Sequence, residues 1–146
     1  MVAVNSFMVP LGTPVPAFAL LSLDGQTVSP ADFTGRPLLV MFLSNHCPYV
    51  RHIEQELGKA VAEYGDGDLA AVAISSNNIE THPDDGPAGL TEQVQRAGFT
   101  FPYLLDESQE VAQAYRAACT PDFFLYDAEH RLAYRGEFDE SRPKND

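Results

Sequence analysis

Residues 37–74 constrain the fold most, because they hold an apolar run, an amphipathic run and a second apolar run in that order. Residues 37–43 read PLLVMFL, with no polar side chain. A strand with one wet face alternates apolar and polar residues, so this run predicts a strand buried on both faces. Across Pro48–Tyr64 the residues Val50, Ile53, Leu57, Val61 and Tyr64 recur at steps of three and four, the stripe of an amphipathic helix. Gly65 stands where such a helix ends. Leu69–Ile74 (LAAVAI) is a second buried strand. Helices alternating with buried strands imply a parallel sheet core.

The flanking sequence extends this core. Met1–Pro16 reads as an extended arm. Ala17–Leu23 and Gln26–Val28 flank Asp24-Gly25, a dipeptide suited to a hairpin turn with positive φ. Ser29-Pro30-Ala31-Asp32 looks like a cap followed by proline at the first position of one short helical turn. Pro83–Gly89 is a loop of turn formers. Leu90–Ala97 predicts a short helix closed by Gly98, and Phe101–Leu105 a third strand of the core. Asp106 with Gln109 resembles a capping box opening a helix through Tyr115. Asp122–Tyr126 and Leu132–Glu137 predict a closing antiparallel pair around an Asp127–Arg131 turn. After it comes a polar tail, Phe138–Asp146, with no helix to cover that end of the sheet. Either the chain is truncated, or a partner covers the exposed face.

The 146 residues suit one domain, 1–146. A net charge of −12 makes nucleic acid and anionic membrane poor partners, since both are bound by Lys/Arg. No apolar run approaches the ~20 residues of a spanning helix, and no Lys or Arg precedes Arg36 to open a secretory signal. A cytoplasmic location is expected. There two cysteines are judged by their chemistry rather than as disulfide staples.

Cys47 follows the first buried strand and directly precedes Pro48, which suits the first helical position. It is therefore the expected N-cap, where free N–H groups and the helix dipole stabilise a thiolate. The thiolate is the nucleophile of disulfide exchange and peroxide reduction. His46 and His52 add charge when protonated, and Arg51 is charged throughout. Asn45 and Tyr49 are candidates to line a pocket, and Arg51 to orient an anionic or peroxide oxygen. The bland alternatives are that Cys47 is a small buried hydrophobe and that its neighbours are packed or solvated residues at a helix start. The spacing H-C-x4-H matches no common zinc pattern, so no metal is expected. Glu54 and Glu56 lie two apart on the helix and read as surface residues.

The segments FLSNHCPYV, AVAISSN, FPYLLDESQEVAQAYRAACTPDFFLYD and LAYRGEFDESRP resemble the thioredoxin-like proteins grouped with alkyl hydroperoxide reductase and thiol-specific antioxidant proteins, the redoxins. The likeness is strongest to their peroxiredoxin-like branch. It implies a thioredoxin fold: an α/β class, three-layer α/β/α domain with a mixed central sheet, an N-terminal β extension and, here, no C-terminal helix. By the same resemblance Thr120-Pro121 matches the cis-proline segment that faces the active site and presents a backbone edge to an incoming peptide. The sequence departs from both better-known patterns. Val50 stands where a C-x-x-C motif has its second cysteine, and His46 where tryptophan is common. In the peroxiredoxin pattern P-x-x-x-[T/S]-x-x-C, Ser44 fits the hydroxyl slot, but Val40 occupies the proline slot.

The expectation is a thiol-based oxidoreductase acting on a small-molecule or protein thiol, disulfide or peroxide through the Cys47 thiolate, with no cofactor. Cys119, two residues before Pro121, is either the resolving thiol or buried filler beside the proline. The alternative of another class is a non-catalytic redox sensor or thioredoxin-fold binding module, with homo-oligomerisation through an uncovered sheet face.

Overall fold

The structure, a computed structural model, describes residues 11–45, 48–64, 69–76, 86–106, 108–115 and 122–136, with the backbone alone at Pro48, Tyr49, Tyr64 and Gly136. The elements are β1 (Leu20–Ser22), β2 (Thr27–Val28), a 3-10 turn (Pro30–Phe33), β3 (Leu38–Phe42), α1 (Pro48–Tyr64), β4 (Ala70–Ser75), α2 (Pro87–Ala97), β5 (Tyr103–Leu105), α3 (Glu110–Tyr115), β6 (Asp122–Tyr126) and β7 (Leu132–Gly136). Seven strands form one sheet in the order β2-β1-β5-β4-β3-β6-β7. β3, β4 and β5 are parallel. β6, β7, β1 and β2 join antiparallel, so the sheet is mixed.

The apolar strands are explained by two cores, one on each sheet face. Val40, Phe42, Val72, Ile74, Phe124 and Tyr126 face one side, where they meet Phe18, Val111 and Tyr115. Met41, Leu43, Ala73 and Phe123 face the other, against Val50, Ile53, Leu57 and Val61 of α1 and Leu90 of α2. α1 and α2 thus cover one face, and α3 with the chain around Phe18 covers the other. Each large side chain so buried contributes roughly 1.5–3 kcal/mol.

The β1–β2 hairpin forms as expected, with Gly25 at φ 86°. The hydroxyl–carboxylate contact of its turn joins Ser22 to Asp24. In the 3-10 turn, the Asp32 carboxylate accepts from the Ser29 N–H at 2.9 Å. The described part of the N-terminal arm runs beside the β7 entry. The Gly12 N–H donates to the Leu132 carbonyl at 2.7 Å, and the Leu132 N–H to the Thr13 carbonyl at 2.8 Å.

Three expectations are corrected. α2 begins at Pro87, not Leu90: the Leu90 N–H donates to the Gly86 carbonyl, and Pro87 is the pre-set first helical residue rather than a loop former. Gly98 then closes it at φ 71°. The Asp106–Gln109 box is one-sided. Asp106 accepts from the Val111 and Ala112 N–H groups, while the Gln109 side chain donates to the Ser76 carbonyl instead of returning to the cap. Glu54 is 4% exposed, not a surface residue. It lies four residues after Val50 and three before Leu57, and so shares the buried stripe. Gly65, the first three residues of the expected Pro83–Gly89 loop and the tail 138–146 lie outside the described residues.

Candidate functional site

β3 ends at Phe42, and the chain continues through buried Leu43, Ser44 and Asn45 to α1 at Pro48. β6 starts at the same end of the sheet, with Asp122 opposite Phe42 in the antiparallel register. The two segments that carry the sequence's candidate residues therefore lead away from one sheet end. Cys47 lies five residues beyond Phe42, and Cys119 three before Asp122.

Of the eight candidates, Asn45 and Arg51 are described with their side chains, and the structure brings them together. The Arg51 Nε–H donates to the Asn45 backbone carbonyl at 2.6 Å, and Nη2 reaches Asn45 Oδ1 at 3.4 Å. His46, Cys47, Cys119, Thr120, Pro121 and the Tyr49 side chain lie outside the described residues.

Asn45 is 2% exposed, and its amide is used at both ends. Nδ2 donates to the Gly89 carbonyl at 3.0 Å, and Oδ1 accepts from Arg96 Nη2 at 2.8 Å. A carbonyl on one side and a guanidinium on the other fix which end is which. Arg96 in turn grips Glu54 with a fork, Nε to Oε2 at 2.5 Å and Nη2 to Oε1 at 3.0 Å. That carboxylate pushes the Arg96 guanidinium further above its ordinary value. Gln93, fully buried beside them, donates to the Ser44 carbonyl at 2.9 Å. Sequence reading missed Glu54, Gln93 and Arg96. The usable signal was an acid on the apolar stripe of α1, because a buried carboxylate requires a partner.

A second charged pair lies on β6 and β7. Arg135 Nη2 donates to Asp122 Oδ2 at 3.0 Å, and both side chains are almost fully buried. The guanidinium also sits 4.6 Å from the Phe124 ring centroid, within cation–π range. Asp122 could have been suspected from parity, since it shares the inward phase of Phe124 and Tyr126.

At the N-terminus of α1 the first turn carries no acidic side chain, and Arg51 adds a fixed positive charge. Val50, where a second cysteine would stand in C-x-x-C, is fully buried. Among the described residues no group of three His, Cys, Asp or Glu side chains could hold a metal ion, and no helix is long and apolar enough to cross a membrane.

A family model described as the AhpC/TSA family matches residues 11–135. The thiol-disulfide oxidoreductase ResA of Halalkalibacterium halodurans is 26% identical over 110 residues, 74% of this chain and 57% of that protein. A Mycobacterium tuberculosis protein named "Putative peroxiredoxin Rv2521" is 32% identical over 108 residues, 73% of this chain and 63% of that protein. The chain thus spans 57% to 63% of the length of these curated relatives. An uncharacterized conserved protein of Geobacillus kaustophilus has a crystal structure 44% identical in sequence, with TM-score 0.93, covering 99% of this chain and 78% of that one. A thioredoxin domain of a Bacteroides vulgatus thiol-disulfide oxidoreductase superposes with TM-score 0.74 at 21% identity, covering 88% of this chain and 89% of that one. The fold is the thioredoxin fold.

Proposed function

The chain belongs to the AhpC/TSA family, and from that premise we propose that it is a thiol-dependent oxidoreductase whose nucleophile is the Cys47 thiolate. The observation that carries this reading is the start of a 17-residue helix at Pro48, one residue after Cys47. Unpaired N–H groups and the dipole of such a helix stabilise negative charge at its N-terminus. Arg51 reinforces them, and no acid in the first turn opposes them. The names of the curated relatives, one a thiol-disulfide oxidoreductase and one a peroxiredoxin, fit a thiolate nucleophile.

With a disulfide substrate, the thiolate attacks one sulfur. A mixed disulfide forms and the other sulfur leaves as a thiolate. With a peroxide, the thiolate attacks one oxygen and the O–O bond breaks. Cys47 is oxidised by two electrons to the sulfenic acid, and the peroxide is reduced to alcohol or water. A second thiol then resolves the intermediate: it displaces the substrate from the mixed disulfide, or condenses with the sulfenic acid and releases water. Either way Cys47 is left in a disulfide, and an external thiol supplies the two electrons that reduce it back to the thiolate. Val50 excludes a C-x-x-C partner, so the resolving thiol is Cys119 or an external one. The shared sheet end of β3 and β6 supports Cys119.

Turnover with hydrogen peroxide or an insulin-type disulfide, with dithiothreitol as the electron source, tests the reading. Cys47→Ser is expected to abolish multiple turnover. A parent protein that reacts once and never turns over contradicts the enzyme reading and favours a redox sensor. Peptide mapping after mild peroxide is expected to show a Cys47–Cys119 cross-link; a stable sulfenic or sulfinic acid with no cross-link assigns the second thiol to an external reductant.

A further inference from the structure

We propose that Arg96 of α2 is a positioning residue for the reactive thiol, acting through Asn45; the inference rests on the reading of Cys47 as that thiol. Asn45 stands two residues before Cys47, and α1 begins one residue after it, so a fixed Asn45 and a fixed helix start are separated by only two residues. Asn45 is fixed from three directions: by Gly89 and Arg96 of α2 and by Arg51 of α1. Gln93 adds a fourth tie, from α2 to the Ser44 carbonyl.

Within this set Arg96 is the one side chain that joins Glu54 of α1 to Asn45 of the β3–α1 connection. A planar guanidinium spreads its donors along a rigid fork, and here Nε and Nη2 serve the two partners at once; an ammonium carries its three donors on a single nitrogen at the end of a flexible stem. The Glu54 carboxylate cancels its charge locally, so Arg96 acts chiefly by orientation: it holds Asn45 against α1, the two fixed points on either side of the thiol in the sequence. The charged and titratable side chains on the elements around Asn45 include Arg51, His52, Glu54, Glu56, Lys59 and Glu63 on α1 and Glu92 and Arg96 on α2, with the Asp122–Arg135 pair on β6 and β7 at the same sheet end.

The test is the pH–rate profile for alkylation of Cys47 by neutral iodoacetamide, in a Cys119→Ser background so that one thiol reports. Arg96→Gln is expected to raise the midpoint by about 0.5–1 pH unit, the scale of one lost neighbouring interaction. Arg96→Lys keeps the charge but cannot span both partners, and is expected to show most of the same rise. Asn45→Ala removes the gripped group while leaving the Glu54–Arg96 pair intact. It is expected to reproduce the shift, and it decides the matter if Arg96→Gln does not fold. A folded Arg96→Gln or Asn45→Ala protein with the parental midpoint overturns the proposal. Full rescue by Arg96→Lys also overturns it, because charge alone would then suffice. A parental midpoint at or above about 8.5, the value of a free cysteine, removes the thiolate reading itself, and that outcome is visible before any Arg96 variant is measured.

Discussion

Two charges taken out of water must be matched to each other, and in the Asp122–Arg135 pair this requirement falls on single residues. Both side chains are almost fully buried, so removing either partner leaves the other charge unsolvated. Asp122→Asn is expected to cost about 3–5 kcal/mol in urea unfolding, whereas replacing the pair together by Leu and Met costs less. A single substitution that costs no more than a surface change would contradict the burial argument. Residues differ in how far they can be read from sequence. The strand before Cys47 and the helix start at Pro48 after it were legible, because each is written in adjacent positions. Asn45 was legible as a neighbour of Cys47, but its partners were not. Gly89 and Arg96 come from 44 and 51 residues further along, and local spacing carries no information on which helix will lie against it.

Helix α1 packs against α2 at Gly58, where the backbones come too close for a side chain. A Cβ there would stand 2.4 Å from the Ala97 carbonyl oxygen. On a free helix Gly→Ala stabilises by roughly 1 kcal/mol. Here the sign reverses, and Gly58→Ala is expected to destabilise by about 1–3 kcal/mol as the helices part, read as a lower denaturant midpoint. A midpoint at or above the parental value would contradict the close approach. α1 was legible end to end, since its stripe at steps of three and four needs only the helix period. Its width was not. Glu54 and Gly58 complete the buried face: the acid sits where its charge argues against burial, and the glycine adds no apolar side chain to the stripe. The start of α2 was misplaced because proline and glycine mark loops and helix beginnings alike.

The two cores give the whole molecule its alkaline limit and its stable frame. Tyr115 packs against Phe18, Phe42, Phe124 and Tyr126, with ring centroids 5.3 to 6.3 Å apart. Burial pushes its phenol well above the ordinary range, and does the same to Tyr126 against an opposing pull from Arg135. The folded state therefore disfavours ionisation, and the contribution is complete below the unfolded value near pH 10 and lost as pH rises beyond it. Unfolding midpoints are expected to fall between pH 9 and pH 11, and to fall less in Tyr115→Phe; equal losses in both proteins would contradict this assignment. That frame holds the end of β3 and the start of α1, and the functional proposal depends on the charge of the sulfur between them. The most direct measurement is thiolate absorbance at 240 nm across pH, in the parent and in Cys47→Ser. A stabilised Cys47 thiolate gives a step with its midpoint below about 8.5 that disappears in the variant; a Cys47 step at or above that value would contradict the thiolate nucleophile.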